Sequence, residues 1–129
     1  MENLSKHLIS PAKCAALANE YDNSNYLEIN KKRDPAKPDS LEYFFKLETL
    51  KEYIEQMQKE MEQKGIRNKG IKIRLGKYPS FPKDPDLDPA LIGYQTVFLA
   101  AVDLDEVAKK GEGATGLPGM NYGQLRPPY

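Results

Sequence analysis

Tyr94-Gln95-Thr96-Val97-Phe98-Leu99-Ala100-Ala101-Val102 decides how this chain folds. The run carries no charge and no alternation. As a strand it points Thr96, Phe98 and Ala100 one way and Val97, Leu99 and Ala101 the other. A strand apolar on both faces belongs inside a sheet, covered on both sides. The rest of the chain must therefore flank and cover it.

Upstream, Gly70-Ile71-Lys72-Ile73-Arg74-Leu75-Gly76 alternates apolar with charged or small residues, which predicts a strand with one dry and one wet face. Before it, Leu47, Leu50, Ile54, Met57 and Met61 are spaced 3, 4, 3 and 4, an apolar stripe over four turns of helix. Glu48 near the start and Lys64 near the end suit the macrodipole, and Gly65 is a ready C′ residue. Glu55 with Lys59 and Glu60 with Lys64 are i,i+4 pairs in the favourable orientation. Leu41 to Lys46, rich in aromatics, reads as a short strand.

Ser10-Pro11 reads as a helix start, a hydroxyl N-cap before a proline whose missing N–H costs nothing there. Cys14, Leu17 and Tyr21 follow on one face. Asp22 to Asn25 interrupts with poor helix formers, and the reading favours continuation or a brief kink through Tyr26, Leu27 and Ile29. Lys31 to Ser40 is a linker, Pro79 to Ile92 a proline-punctuated loop, and Asp103 to Lys110 a short helical turn.

The order α-β-α-β-β predicts an α+β fold with a three-stranded mixed sheet. A right-handed crossover makes the first two strands parallel, and the third returns antiparallel between them. Helices pack on one face. Residues 1–110 form the single domain, and 111–129 an extended tail. That tail carries five of the nine glycines and three of the ten prolines, together with Leu117, Met120, Tyr122, Leu125 and Tyr129. It closes the sheet in its own subunit, closes it in a neighbour, or leaves it open for a partner; own-subunit docking is the favoured reading.

Composition excludes several classes of function. Nineteen basic residues balance nineteen acidic ones over 129 residues, so no global field draws the chain to nucleic acid or anionic membrane. One cysteine rules out an internal disulfide and a cysteine-based zinc site. Met1 to His7 holds no apolar run of signal-peptide length and no stretch approaches a membrane span, so a cytoplasmic protein is expected.

Catalytic constellations are poor. His7, the single histidine, precedes the first helix, and Cys14 reads as a small buried hydrophobe rather than a nucleophile. Gly111 to Gly116 lacks both the strand lead-in and the lysine of a phosphate-cradling loop. Asp84-Pro85-Asp86-Leu87-Asp88 has the alternate acids of a calcium loop. Pro89 stands where that loop needs glycine, and Gln95 where it needs glutamate, so an extended loop is expected and no metal or cofactor.

Lys64, Arg67, Lys69, Lys72, Arg74 and Lys77 form the uncompensated basic stretch. A solvated strand face is its ordinary meaning, with a weak nucleic-acid surface as the alternative.

Gly70 to Tyr78, Tyr94 to Leu99, and Asn121-Tyr122-Gly123-Gln124-Leu125-Arg126-Pro127-Pro128 together resemble segments of a group of small uncharacterised bacterial proteins. The resemblance runs from about Leu41 onward and implies a self-contained bacterial domain with no known activity. Here Lys72 stands where that group would have arginine, and Arg74 where it would have tyrosine.

The expectation is a non-enzymatic binding or interaction protein, taking a protein partner or a second copy of itself. Its surface would combine Lys72, Arg74, Tyr78, Tyr122, Arg126 and Tyr129, and deleting Gly119 to Tyr129 would leave the fold intact. The alternative is a small-molecule or nucleotide enzyme using Asp39, Glu48, Arg74 and Tyr94.

Overall fold

Ser10 caps the first helix as its sequence requires, its hydroxyl accepting from the Lys13 N–H at 3.1 Å. A computed structural model describes residues 3–129 of the chain; Met1 and Glu2 of the expected leader lie outside them. Helix α1 spans Pro11–Asp22, and α2, Asn25–Asn30, follows after Asn23 and Ser24. The poor helix formers thus break the helix rather than bend it. No residue of either helix is buried, so Cys14 is exposed rather than in a core.

The chain divides into two compact units between Asp39 and Ser40. In the first, the Tyr26 hydroxyl donates to the Asp39 carbonyl at 2.8 Å, and the Asn30 side chain accepts from the Asp39 N–H at 2.8 Å. These bonds fold the linker back on α2. The second unit, Ser40–Tyr129, holds all the strands of the described residues: β1 Glu42–Phe44, β2 Lys69–Lys77, β3 Gln95–Asp103 and β4 Gln124–Arg126. It also holds helices α3, Leu47–Gln63, and α4, Leu104–Lys110.

The fold is α+β, but the three-stranded mixed sheet does not form. The described residues form two separate two-stranded antiparallel sheets, β2 with β3 and β1 with β4. Two contacts of the glycine-rich tail explain the difference. Along the side of β3 away from β2, the tail makes isolated bridges at Leu99↔Met120 and Val102↔Ala114, so that position is filled before β1 can take it. The tail then pairs with β1 itself, Tyr43 opposite Leu125. Strand β1 therefore has no parallel crossover to β2, and β3 is not the centre of three strands.

Helices lie on both faces of the β2–β3 pair, not on one. Helix α3 sets Met57 and Met61 against Ala101, with Ile71 packed alongside. On the other face Leu104 of α4 closes so tightly over Gly70 that a Cβ there would lie 2.7 Å from it. The Asp103 side chain caps α4, and Gly111 ends it in the left-handed conformation.

The stripe on α3 is only partly used. Met57 and Met61 are buried, Leu50 is half-buried, and Leu47 and Ile54 are exposed. Burial of the two methionines contributes roughly 3–6 kcal/mol. Neither Glu55–Lys59 nor Glu60–Lys64 closes to ion-pair distance; Lys69 pairs with Glu62 at 2.8 Å instead. A second cluster gathers Tyr78, Leu87, Tyr94 and Leu125, the last 1% exposed. Met120 and Leu125 are buried, so Gly119 to Tyr129 contributes two side chains to the core, which argues against its deletion leaving the fold intact.

Candidate functional site

The alternation in β2 does what its period requires: Ile71, Ile73 and Leu75 share one face, Lys72 and Arg74 the other. The expected dry face is nevertheless largely wet. Ile73 is 72% exposed and Leu75 64%. Helix α3 covers the end of the pair where Ile71 meets Ala101, and the tail lies beyond β3, so nothing among the described residues covers Ile73 and Leu75.

The outer edge of β2 is also free. Its only strand partner among the described residues is β3, in register from Lys69↔Asp103 to Lys77↔Gln95. Just past the strand end the Tyr78 N–H donates to the Tyr94 carbonyl at 3.0 Å. Bonding alternates along an antiparallel ladder, so Gly76, Arg74 and Lys72 direct their backbone groups at β3. Ile71, Ile73 and Leu75 then direct theirs outward. The opposite edge of β3 obeys the same alternation. There the Leu99 N–H donates to the Met120 carbonyl at 2.9 Å and the Asp103 N–H to the Gly113 carbonyl at 2.9 Å.

One strand therefore presents outward-facing backbone groups and uncovered apolar side chains at the same residues. Beside it, a groove of about 280 Å³ runs between β2 and α3, lined by Ile54, Gln58, Met61, Lys69, Gly70 and Ile71. On the other face of the strand, Lys72 and Arg74 stand opposite Ala100 and Phe98. Among the described residues neither has an ion-pair partner, nor has Lys77, whereas Lys69 is tied to Glu62.

The remaining residues expected at the site lie elsewhere. Tyr78 is buried, and its hydroxyl donates to the Asn121 side-chain oxygen at 2.7 Å. It also accepts from the Thr96 hydroxyl at 3.2 Å, while the Asn121 amide donates to the Val97 carbonyl at 2.6 Å. This network fastens the tail to β3. Asn121 is followed by Tyr122 at φ 58, an uncommon conformation for a residue with a Cβ, and then by Gly123. A Cβ on Gly123 would lie 2.8 Å from both the Phe44 carbonyl and the Phe45 ring, so only glycine fits there.

Tyr122 and Tyr129 are exposed and face the acidic loop. The Tyr122 hydroxyl donates to Asp84 at 2.6 Å, and that bond, with the charges of Asp84 and Asp86, pushes its pKa up to about 12. Asp84 is held below its ordinary value by Tyr122 and by the Asp86 N–H. The Tyr129 hydroxyl donates to Asp88 at 3.0 Å and is raised by it. Asp88 is lowered by the Ala90 N–H and then by Tyr129. Asp84 and Asp88 are thus occupied by turns and tyrosines, and among the described residues no three His, Cys, Asp or Glu converge as metal ligands. Arg126 is exposed on β4, opposite Glu42.

The residues of the enzymatic alternative are differently disposed. Asp39 belongs to the first unit, Glu48 is exposed in the first turn of α3, Tyr94 is buried in the aromatic cluster, and Arg74 is exposed on β2. The apolar half of this surface, Ile54 on α3 with Ile73 and Leu75 on β2, is not legible from periodicity, which points those residues to a core. The signal that could have found them is a shortage of cover: two nine-residue strands share one long helix.

No helix among the described residues is long and apolar enough to cross a membrane. No family model, curated protein or solved structure matches the chain.

Proposed function

We propose that this protein is a non-enzymatic interaction module whose second unit takes an extended segment of another protein as an added strand on the outer edge of β2. The observation that carries this reading is the coincidence, at Ile73 and Leu75, of outward backbone groups with side chains left 72% and 64% exposed. Strand addition uses both: main-chain bonds give affinity, and side chains on alternate residues give specificity. The nine residues of β2 offer an edge of about 30 Å, ample for such a segment.

A photo-crosslinking side chain in place of Ile73, compared with one in place of Asp86 in the exposed loop, tests this in cells that make the protein. The expected result is a discrete protein adduct from position 73 and none from 86. The captured protein should then bind the purified chain and lose that binding in Ile73→Pro. Identical adduct patterns from the two positions, or no adduct from 73, would overturn the reading.

A further inference from the structure

We infer that the segment received by β2 is acidic, alternating apolar residues with aspartate or glutamate. This rests on the strand-addition reading and adds the chemistry of the partner. The two faces of the free edge make different demands. Beside Ile71, Ile73 and Leu75 an incoming strand is opposed by apolar surface, continued by Ile54 across the groove. On the other face its side chains stand next to Lys72 and Arg74, neither of which has an ion-pair partner among the described residues. A strand of period two that satisfies both faces reads apolar, acidic, apolar, acidic.

The same charges decide against a second copy of this chain. Antiparallel pairing of two β2 edges centred on Ile73 would place Lys72 opposite Arg74 twice over. Like charges directly opposite are destabilising. Lysines along an exposed edge are a recognised guard against edge-to-edge association. The guard is selective: it repels this chain's own edge and attracts one of opposite sign. The acidic loop of the second unit does not compete for the role, since Asp84 and Asp88 are held by Tyr122 and Tyr129.

Fluorescence anisotropy with two short labelled peptides, one alternating valine with glutamate and one valine with lysine, tests the inference on the full chain. The glutamate peptide should bind and weaken as salt is raised, since exposed charge pairs are screened. The lysine peptide should not bind. Lys72→Glu with Arg74→Glu should reverse the preference, weakening the glutamate peptide by about tenfold or more and admitting the lysine peptide. Ile73→Pro should abolish binding of either peptide. It removes an outward N–H and no bond of the β2–β3 ladder, so the thermal midpoint should change little.

Binding of the glutamate peptide that survives Ile73→Pro would overturn the inference, as would equal binding of both peptides or of neither. A dimer in sedimentation that Ile73→Pro dissolves would overturn it in favour of self-pairing. A position-73 adduct in cells, with no preference for the glutamate peptide, would sink the acidic partner and leave strand addition standing.

Discussion

Strands β2 and β3 are the same length, pair with each other in unbroken register, and meet opposite fates. Along β3, Thr96, Leu99, Ala101 and Val102 are buried, and its far edge is bonded to the tail. Along β2 no residue is buried and the far edge is bare. The two differ in composition: β3 carries no charge between Gln95 and Val102, whereas β2 sets Lys72 and Arg74 among its aliphatic residues. Burial of those cations without partners would cost more than covering Ile73 and Leu75 would return. Charge on one face thus keeps the whole strand at the margin, including a face that is apolar. An amphipathic strand is not automatically half core. It becomes so only where a helix or loop is available to cover it.

The harshest way to break this contrast is to strip β3 of its cover. Deleting Gly119 to Tyr129 removes the Met120 bridge, β4 and Leu125 together, and bares the edge of β3 at Leu99, leaving only the bridge at Val102↔Ala114. Cooperative thermal unfolding of the second unit should disappear, as followed by calorimetry. Asn121→Ala makes a smaller cut at the same seam. The Val97 carbonyl and the Tyr78 and Thr96 hydroxyls lose a partner, at a cost of about 1–3 kcal/mol by denaturant titration.

The contrast is sharpened from the β2 side by Ile73→Thr with Leu75→Thr. Both residues are exposed in a strand, so stability should stay within about 0.5 kcal/mol per substitution, while capture of the extended partner is lost. A marked drop in thermal midpoint would mean that β2 is core after all.

The smallest effect lies in the tyrosine–aspartate bonds that fasten the tail to the loop. Tyr122 is raised, so its contribution is complete below its ordinary pKa of 10.0 and is lost as pH climbs through about 12. Asp84 is lowered, so its contribution is complete above its ordinary 3.8 and is lost as pH falls through the depressed value. Between those limits this bond should add no pH dependence. Tyr122→Phe should flatten the alkaline arm of a stability–pH profile and leave the neutral plateau level.

Much of the fold was legible because its signals are local. Ser10-Pro11, the stripe from Leu47 to Met61 with Gly65 behind it, the alternation from Gly70 to Gly76 and the apolar run before Asp103 each name an element by composition and period. Pairing is not local. Strand β4 buries one residue, Leu125, between an exposed Gln124 and an exposed Arg126, and three residues carry no period that could mark a strand. Without β4, the sequence offers β1 no partner but the β2–β3 pair. For the candidate site, Lys72 and Arg74 stood out through their charge. Ile73 and Leu75 did not, since hydrophobicity alone does not say whether anything lies opposite.

The pairing of Glu42 with Arg126 spans 84 residues (126 − 42), so closing it comes at high contact order and late in folding. The β2–β3 pair spans a shorter loop and can form first, leaving a transient species with both edges open. One of those edges carries Lys72 and Arg74, which discourage wrong partners. The other, at Leu99, carries no charge and must wait for Met120. The hazardous interval for this chain therefore lies between those two closures, and its length is set by how quickly the segment around Asn121 finds β3.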